Sequence, residues 1–241
     1  MNINDLEEKI RQSESMSLSA AFPILMRKVY LWMAMALAIS GLTAYSVAAS
    51  PGLVQLIYSN SLVMWGCIIA ELVMVWKISN SVAKENRSLA TTTLMFIIFS
   101  ALNGVTLSSI FVLFAPAAIV KTFVITAGTF GVMAAYGYFT SRDLTKIGGL
   151  LFMALIGVII ASVVNMFLHS SGLDLVVSII GVLVFVGLTA WDSQQIKMSL
   201  AMAPDLGETS QKLALTGALS LYLDFVNLFL YLLRFFGGSR D

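Results

Sequence analysis

Three carboxylates of this chain stand in surroundings that normally exclude them. Glu71, Asp192 and Asp224 each lie within a long apolar run, whereas the other ten of the thirteen Asp and Glu residues fall in tails, in connections or at the ends of such runs. An ionised Asp at the centre of a membrane span costs ~2.5–3.5 kcal/mol on insertion scales, and an apolar residue there returns only ~0.3–0.6. Such a residue must face a bundle interior or water, and it is a functional candidate by default. Two carboxylates in contact in a low dielectric cannot both stay ionised, so they share a proton and respond to pH. The plainer role is a protonated Asp that bonds a backbone carbonyl and fixes helix packing. Glu71 likewise has two readings, a pore-lining cation ligand or a neutral acid bonded to a neighbouring helix. Asn103, with Ser100 and Thr106, forms a polar face suited to interhelical bonds worth ~1–2 kcal/mol at most. A metal cation would prefer oxygen ligands, which Asp192, Asp224, Glu71 and Asn227 could supply.

The elements that position these groups are membrane-spanning helices. Of 241 residues, 59% are hydrophobic and only 11% are charged, with a mean hydropathy of +0.90. A soluble domain carries about a quarter charged residues. A soluble enzyme, a disordered chain and a disulfide-stapled domain are thereby excluded. Seven apolar stretches are expected, at about 28–49, 61–80, 89–114, 117–138, 147–168, 173–198 and 213–236. Each is long enough to span, at roughly 20 residues per crossing. Their separators carry loop signals, such as Ser50-Pro51-Gly52, Ala83-Lys84-Glu85-Asn86-Arg87 and Ala203-Pro204-Asp205-Leu206-Gly207. The runs are continuous rather than alternating, which excludes a transmembrane barrel.

Residues 1–26, with Asp5, Glu7, Glu8, Lys9, Arg11 and Glu14, read as a cytoplasmic tail, and 27–241 as the membrane domain. Pro23 is expected to break the chain just before the first span. With the N-terminus inside, the inner segments hold Lys9, Arg11, Arg27, Lys28, Lys77, Lys84, Arg87, Arg142, Lys146, Lys197 and Lys212, and the outer ones Lys121, Arg234 and Arg240. That bias predicts the N-terminus inside and the C-terminus outside. A net charge of +1 gives no reason to expect a nucleic-acid partner. The lone Cys67 forms no internal disulfide, and His169 beside two serines reads as a solvated loop residue. No set of zinc ligands or other cofactor motif occurs.

Helical spacing orders the polar residues into faces. Gly217, Ser220, Asp224, Asn227, Tyr231 and Arg234 share one stripe of the seventh stretch. Ser178, Gly181, Phe185, Thr189, Asp192 and Gln195 or Ser199 make a similar face on the sixth. A short connection makes the two antiparallel neighbours, and Asp192 reaches the depth of Asp224 if the sixth helix continues toward Met202. Ala127, Gly131 and Ala135 form a small-residue seam on the fourth stretch, expected to be helix packing.

The stretch Leu188-Thr189-Ala190-Trp191-Asp192-Ser193-Gln194-Gln195-Ile196-Lys197 resembles the sixth-span signature of the Bax inhibitor family, the transmembrane Bax-inhibitor-motif proteins, in its bacterial branch. Ala218-Leu219-Ser220-Leu221-Tyr222-Leu223-Asp224-Phe225-Val226-Asn227-Leu228-Phe229 resembles the seventh, and Asn103 and Glu71 fit the third and second. The resemblance implies an all-α, seven-helix bundle in the bacterial cytoplasmic membrane, with the C-terminal helix central. It implies a pH-sensitive calcium leak channel with Asp192 and Asp224 as the paired sensor and calcium as the transported ion. It also implies a basic latch near the inner end of the second helix, for which Lys77 and Lys84 are the candidates. Some members are linked to restraining cell death or membrane proteases through protein partners. A non-conducting regulator that binds another membrane protein is therefore the alternative. An intramembrane aspartyl protease also places Asp on its sixth and seventh spans. Its second motif has glycines flanking the acid, where this chain has Leu221-Tyr222-Leu223-Asp224, so no enzyme is expected. No Gly-x-Ser-x-Gly occurs for a serine hydrolase, and no lysine stands in the seventh span for a retinal Schiff base.

Overall fold

A computed structural model describes residues 3–84, 87–203 and 205–237, with side chains from residue 21 onward. The side chains of the charged tail, Glu85-Asn86, Pro204 and Arg240 lie outside the described residues. Among the described residues the fold is entirely helical. α1 (Ile3–Ala48), α2 (Pro51–Tyr58), α3 (Ser61–Ser79), α4 (Leu89–Leu107), α5 (Ser109–Leu113), α6 (Pro116–Phe139), α7 (Thr145–Leu168), α8 (Ser171–Ala201) and α9 (Glu208–Phe236) follow in order. Seven segments are long and apolar enough to cross a membrane: α1 from Ala21, α3, α4 with α5, α6, α7, α8 and α9. Their outward side chains are apolar, with Leu62 81% and Phe139 79% exposed. That surface suits acyl chains rather than water.

The boundaries differ from the sequence reading in four places. Pro23 lies inside α1 instead of breaking the chain. Ala21, Leu25 and Met26 on either side of it are buried, and packing keeps both flanks helical although proline withdraws one backbone donor. Ser50-Pro51-Gly52 opens a short helix, α2, with proline in the first turn where its missing N–H has no partner to lose. The third span divides at Ser108, whose hydroxyl donates to the Val105 carbonyl at 2.6 Å and meets the Tyr58 hydroxyl of α2 at 2.9 Å. α8 continues to Ala201, three residues beyond the expected end of the sixth stretch.

Burial ranks the spans. In its most apolar window α9 is 61% buried, against 6% for α3 and 11% for α7. α9 touches α1, α3, α4, α6 and α8. Close approach comes from small residues. A Cβ on Gly104 of α4 would meet the Ser40 carbonyl of α1 at 2.5 Å, and one on Gly137 of α6 would strike the backbone of Ala190 on α8. Polar side chains inside the spans satisfy themselves on the preceding turn: Ser100 on Phe96, Thr126 on Thr122 and Thr189 on Phe185 each donate to the carbonyl four residues back. Outside the bilayer, Asp143 accepts from the Thr145 amide at 2.9 Å where α7 begins. Those hydrogen bonds from Thr145 hold its carboxyl below the ordinary Asp range.

Candidate functional site

α8 and α9 form an antiparallel pair whose register is pinned by two glycines. Gly217 of α9 lies against Ile196 of α8, and Gly181 of α8 against the ring of Tyr231, which also stacks on Phe185 at 5.8 Å. With those pins, Asp192 falls within one helical turn of the level of Asp224. The carboxyls of Asp192 and Asp224 face each other across the α8–α9 seam. Asp224 is buried, 5% exposed, and its Oδ2 has no hydrogen-bond partner among the described residues. Two carboxylate anions cannot bond one another, so a hydrogen bond between these groups would need a proton between them. At the end of the same seam away from the α8–α9 connection, Arg234 reaches Asp174 at 3.7 Å.

The pair is not sealed off. Asp192 lines a cleft of about 150 Å³ together with Gln195, Ser199, Thr216, Gly217 and Ser220. The cleft lies toward the α8–α9 connection, and its polar groups come from the two faces read in the sequence. Asp192 is thus the member of the pair that meets the cleft, and Asp224 the member set behind it.

Glu71 belongs to a second polar network. Its two carboxylate oxygens accept from Asn103 Nδ2 at 3.0 Å and from Thr106 Oγ1 at 2.9 Å, tying the sparsely buried α3 to α4. Tyr222 of α9 donates to Asn103 Oδ1 at 2.8 Å and meets the Ser40 hydroxyl of α1 at 2.6 Å. Ser40 in turn is within 2.7 Å of the Ser100 carbonyl of α4. Four helices are joined through this chain. Tyr222 is two residues from Asp224 and therefore lies on nearly the opposite side of α9. Sequence reasoning missed Tyr222 and Ser40 as site residues. The available signal was a phenol within an apolar run, which needs a buried partner for its hydroxyl.

The comparisons agree with the two motifs. The family model for the inhibitor of apoptosis-promoting Bax1 matches residues 23–241. The chain belongs to the Bax inhibitor family. The inner membrane protein YbhL of Escherichia coli K12 is 47% identical over 217 residues, covering 89% of this chain and 92% of that one. A protein of Rickettsia prowazekii is 41% identical over 216 residues, covering 90% of each chain. A membrane protein of Streptococcus pyogenes serotype M1 is 37% identical, covering 88% of this chain and 91% of that one. A multi-pass protein of the bacterial inner membrane follows from these relatives and the seven apolar segments.

In this Bax inhibitor family chain the expected site residues divide. Asp192 and Asp224 come together, and so do Glu71 and Asn103, but the two sets stay apart on different faces of α9. The expected oxygen cage of Asp192, Asp224, Glu71 and Asn227 is not assembled. Among the described residues no three His, Cys, Asp or Glu side chains group closely enough to hold a metal ion. Asn227 donates to the Leu223 carbonyl of its own helix at 2.8 Å. Neither latch candidate is drawn to the acid pair. Lys77 is exposed, its carbonyl accepting from Arg87, and the Lys84 ammonium lies 5.6 Å from the Trp76 ring centroid. Lys77 lies in the last turn of the peripheral α3 and Lys84 just beyond it, and α3 packs on α4 and meets α9 only lightly. The small-residue seam is also corrected: Ala127, Gly131 and Ala135 face outward, and the tight contact of α6 is made by Gly137.

Proposed function

We propose that the chain is a pH-sensitive leak for calcium, closed by the Asp192–Asp224 contact, with its N-terminus inside and its C-terminus outside. It is read as a channel rather than an enzyme. The apposition of the two carboxyls at the end of the α8–α9 cleft carries this reading. With one shared proton the pair makes an O–H···O⁻ bond, which is charge-assisted and about twice as strong as a neutral one. A second proton leaves two neutral acids and a weaker tie, so acidification loosens α8 from α9. Loss of the last proton sets two anions against each other and also parts them. Closure is therefore tightest between these limits, and the acid side opens without any basic latch. Calcium takes carboxylate and amide oxygens as ligands, and a parted pair presents four carboxylate oxygens toward the cleft. The test is calcium efflux from liposomes across pH, comparing the wild type with the Asp192→Asn/Asp224→Asn double variant. A double variant that keeps the wild-type pH profile overturns the reading.

A further inference from the structure

We propose that the groove between α1 and α6 holds one anionic phospholipid, with an acyl chain along α6 and the phosphate at Arg27. α1 and α6 meet through the stacked rings of Phe22 and Tyr138, 6.4 Å between centroids, but their backbones stay apart, and the gap between them has a volume of about 520 Å³. Gly131 and Ala135 form its floor on α6, and Met26 and Phe130 line its sides. A Cβ on Gly131 would meet nothing within 4 Å, so the floor is open among the described residues. A gap at this depth is filled in a bilayer, because an empty one forfeits dispersion contacts on every wall.

Charge and aromatic character at the mouth identify the occupant. Arg27 and Tyr30 of α1 and Tyr138 of α6 line the groove near the inner end of α6. Arg27 is exposed and forms no ion pair among the described residues. A guanidinium matches a phosphate with two parallel hydrogen bonds, and tyrosines favour the headgroup level. The C-terminal pole of α6 would repel an anion, but Lys197 covers it, donating to the Tyr138 carbonyl at 2.7 Å and lying 5.3 Å from that ring centroid. The carboxylate of the adjoining connection, Asp143, accepts from the Thr145 amide of α7. The mouth is thus cationic over an apolar trough, the pattern of a lipid with a negative headgroup.

The experiment titrates the full chain in detergent with phosphatidylglycerol or phosphatidylcholine of the same acyl chains and reads retained lipid by native mass spectrometry. The wild type is expected to retain one phosphatidylglycerol about fivefold more strongly than phosphatidylcholine. Arg27→Gln is expected to erase that preference, and Gly131→Leu, whose side chain enters the open trough, to release both lipids. Gly128→Leu, also in open space but off the groove lining, is expected to behave as wild type. Equal retention of the two lipids by the wild type overturns the proposal, as does a Gly131→Leu chain that retains phosphatidylglycerol normally or a Gly128→Leu chain that loses it. A wild-type dimer that Gly131→Leu dissolves gives the groove to a second copy and also overturns it.

Discussion

Replacing both aspartates by asparagine removes the titration but keeps the shape of the contact. In the wild type the shared-proton bond is charge-assisted, in the class worth about 1.5–3 kcal/mol, while a neutral pair falls near 0.5–1.5. The second proton therefore weakens the α8–α9 tie by about 1.4 kcal/mol, a tenfold shift in the closed–open ratio. Asp224 is 5% exposed but Asp192 meets the cleft, so about 1.4 kcal/mol is the ceiling of the effect. Calcium efflux from liposomes should then rise by up to about tenfold on acidification. Asp192→Asn/Asp224→Asn should give a flat profile, because an amide pair keeps its hydrogen bond at every pH. A double variant with an undiminished acid rise refutes the reasoning, and so does a flat wild type.

Four further outcomes follow from the geometry. Tyr222→Phe strips the hydroxyl that joins Asn103 and Ser40 and should destabilise by about 1–3 kcal/mol, the cost of buried groups left unpaired, read as a lower unfolding midpoint in detergent. Gly137→Ala drives a methyl into the Ala190 backbone and should cost about 1–3 kcal/mol, whereas Gly128→Ala, in open space, should stay within about 0.5. Gln194→Ala removes the side chain that accepts from the Leu144 amide at 2.9 Å and donates to the Arg142 carbonyl at 2.7 Å, so the α6–α7 connection should become the first site of limited proteolysis. In a Cys67→Ala background, an impermeant maleimide added to intact cells should label Ser59→Cys and spare Lys84→Cys; the reverse pattern would invert the proposed orientation.

The architecture was legible because a bilayer leaves few choices. Every backbone polar group in lipid must be satisfied within its own segment, so a 20-residue apolar run has to be a helix. The stripe on the last helix was legible for the same reason. Gly217, Asp224, Tyr231 and Arg234 all turn toward α8, meeting Ile196, Asp192, Gly181 and Asp174. The seam at Ala127, Gly131 and Ala135 misled because small residues serve close packing and open grooves alike, and only the placement of α1 decides between them. Pro23 misled because proline removes one hydrogen bond, a local loss that buried flanks can outweigh.

Residue types and spacing by themselves determined a seven-span helical bundle, two acids on facing helices and a family. They fixed these because hydropathy, helical period and short connections are properties of single segments and their nearest neighbours. Only the tertiary structure decided that Glu71 answers to Asn103 and Thr106 instead of the aspartates, and that Tyr222 ties four helices together. Only it showed that Lys77 and Lys84 stay with the peripheral α3. Those contacts join positions far apart in the chain, and the angle at which each helix is turned about its axis is set by the whole bundle at once.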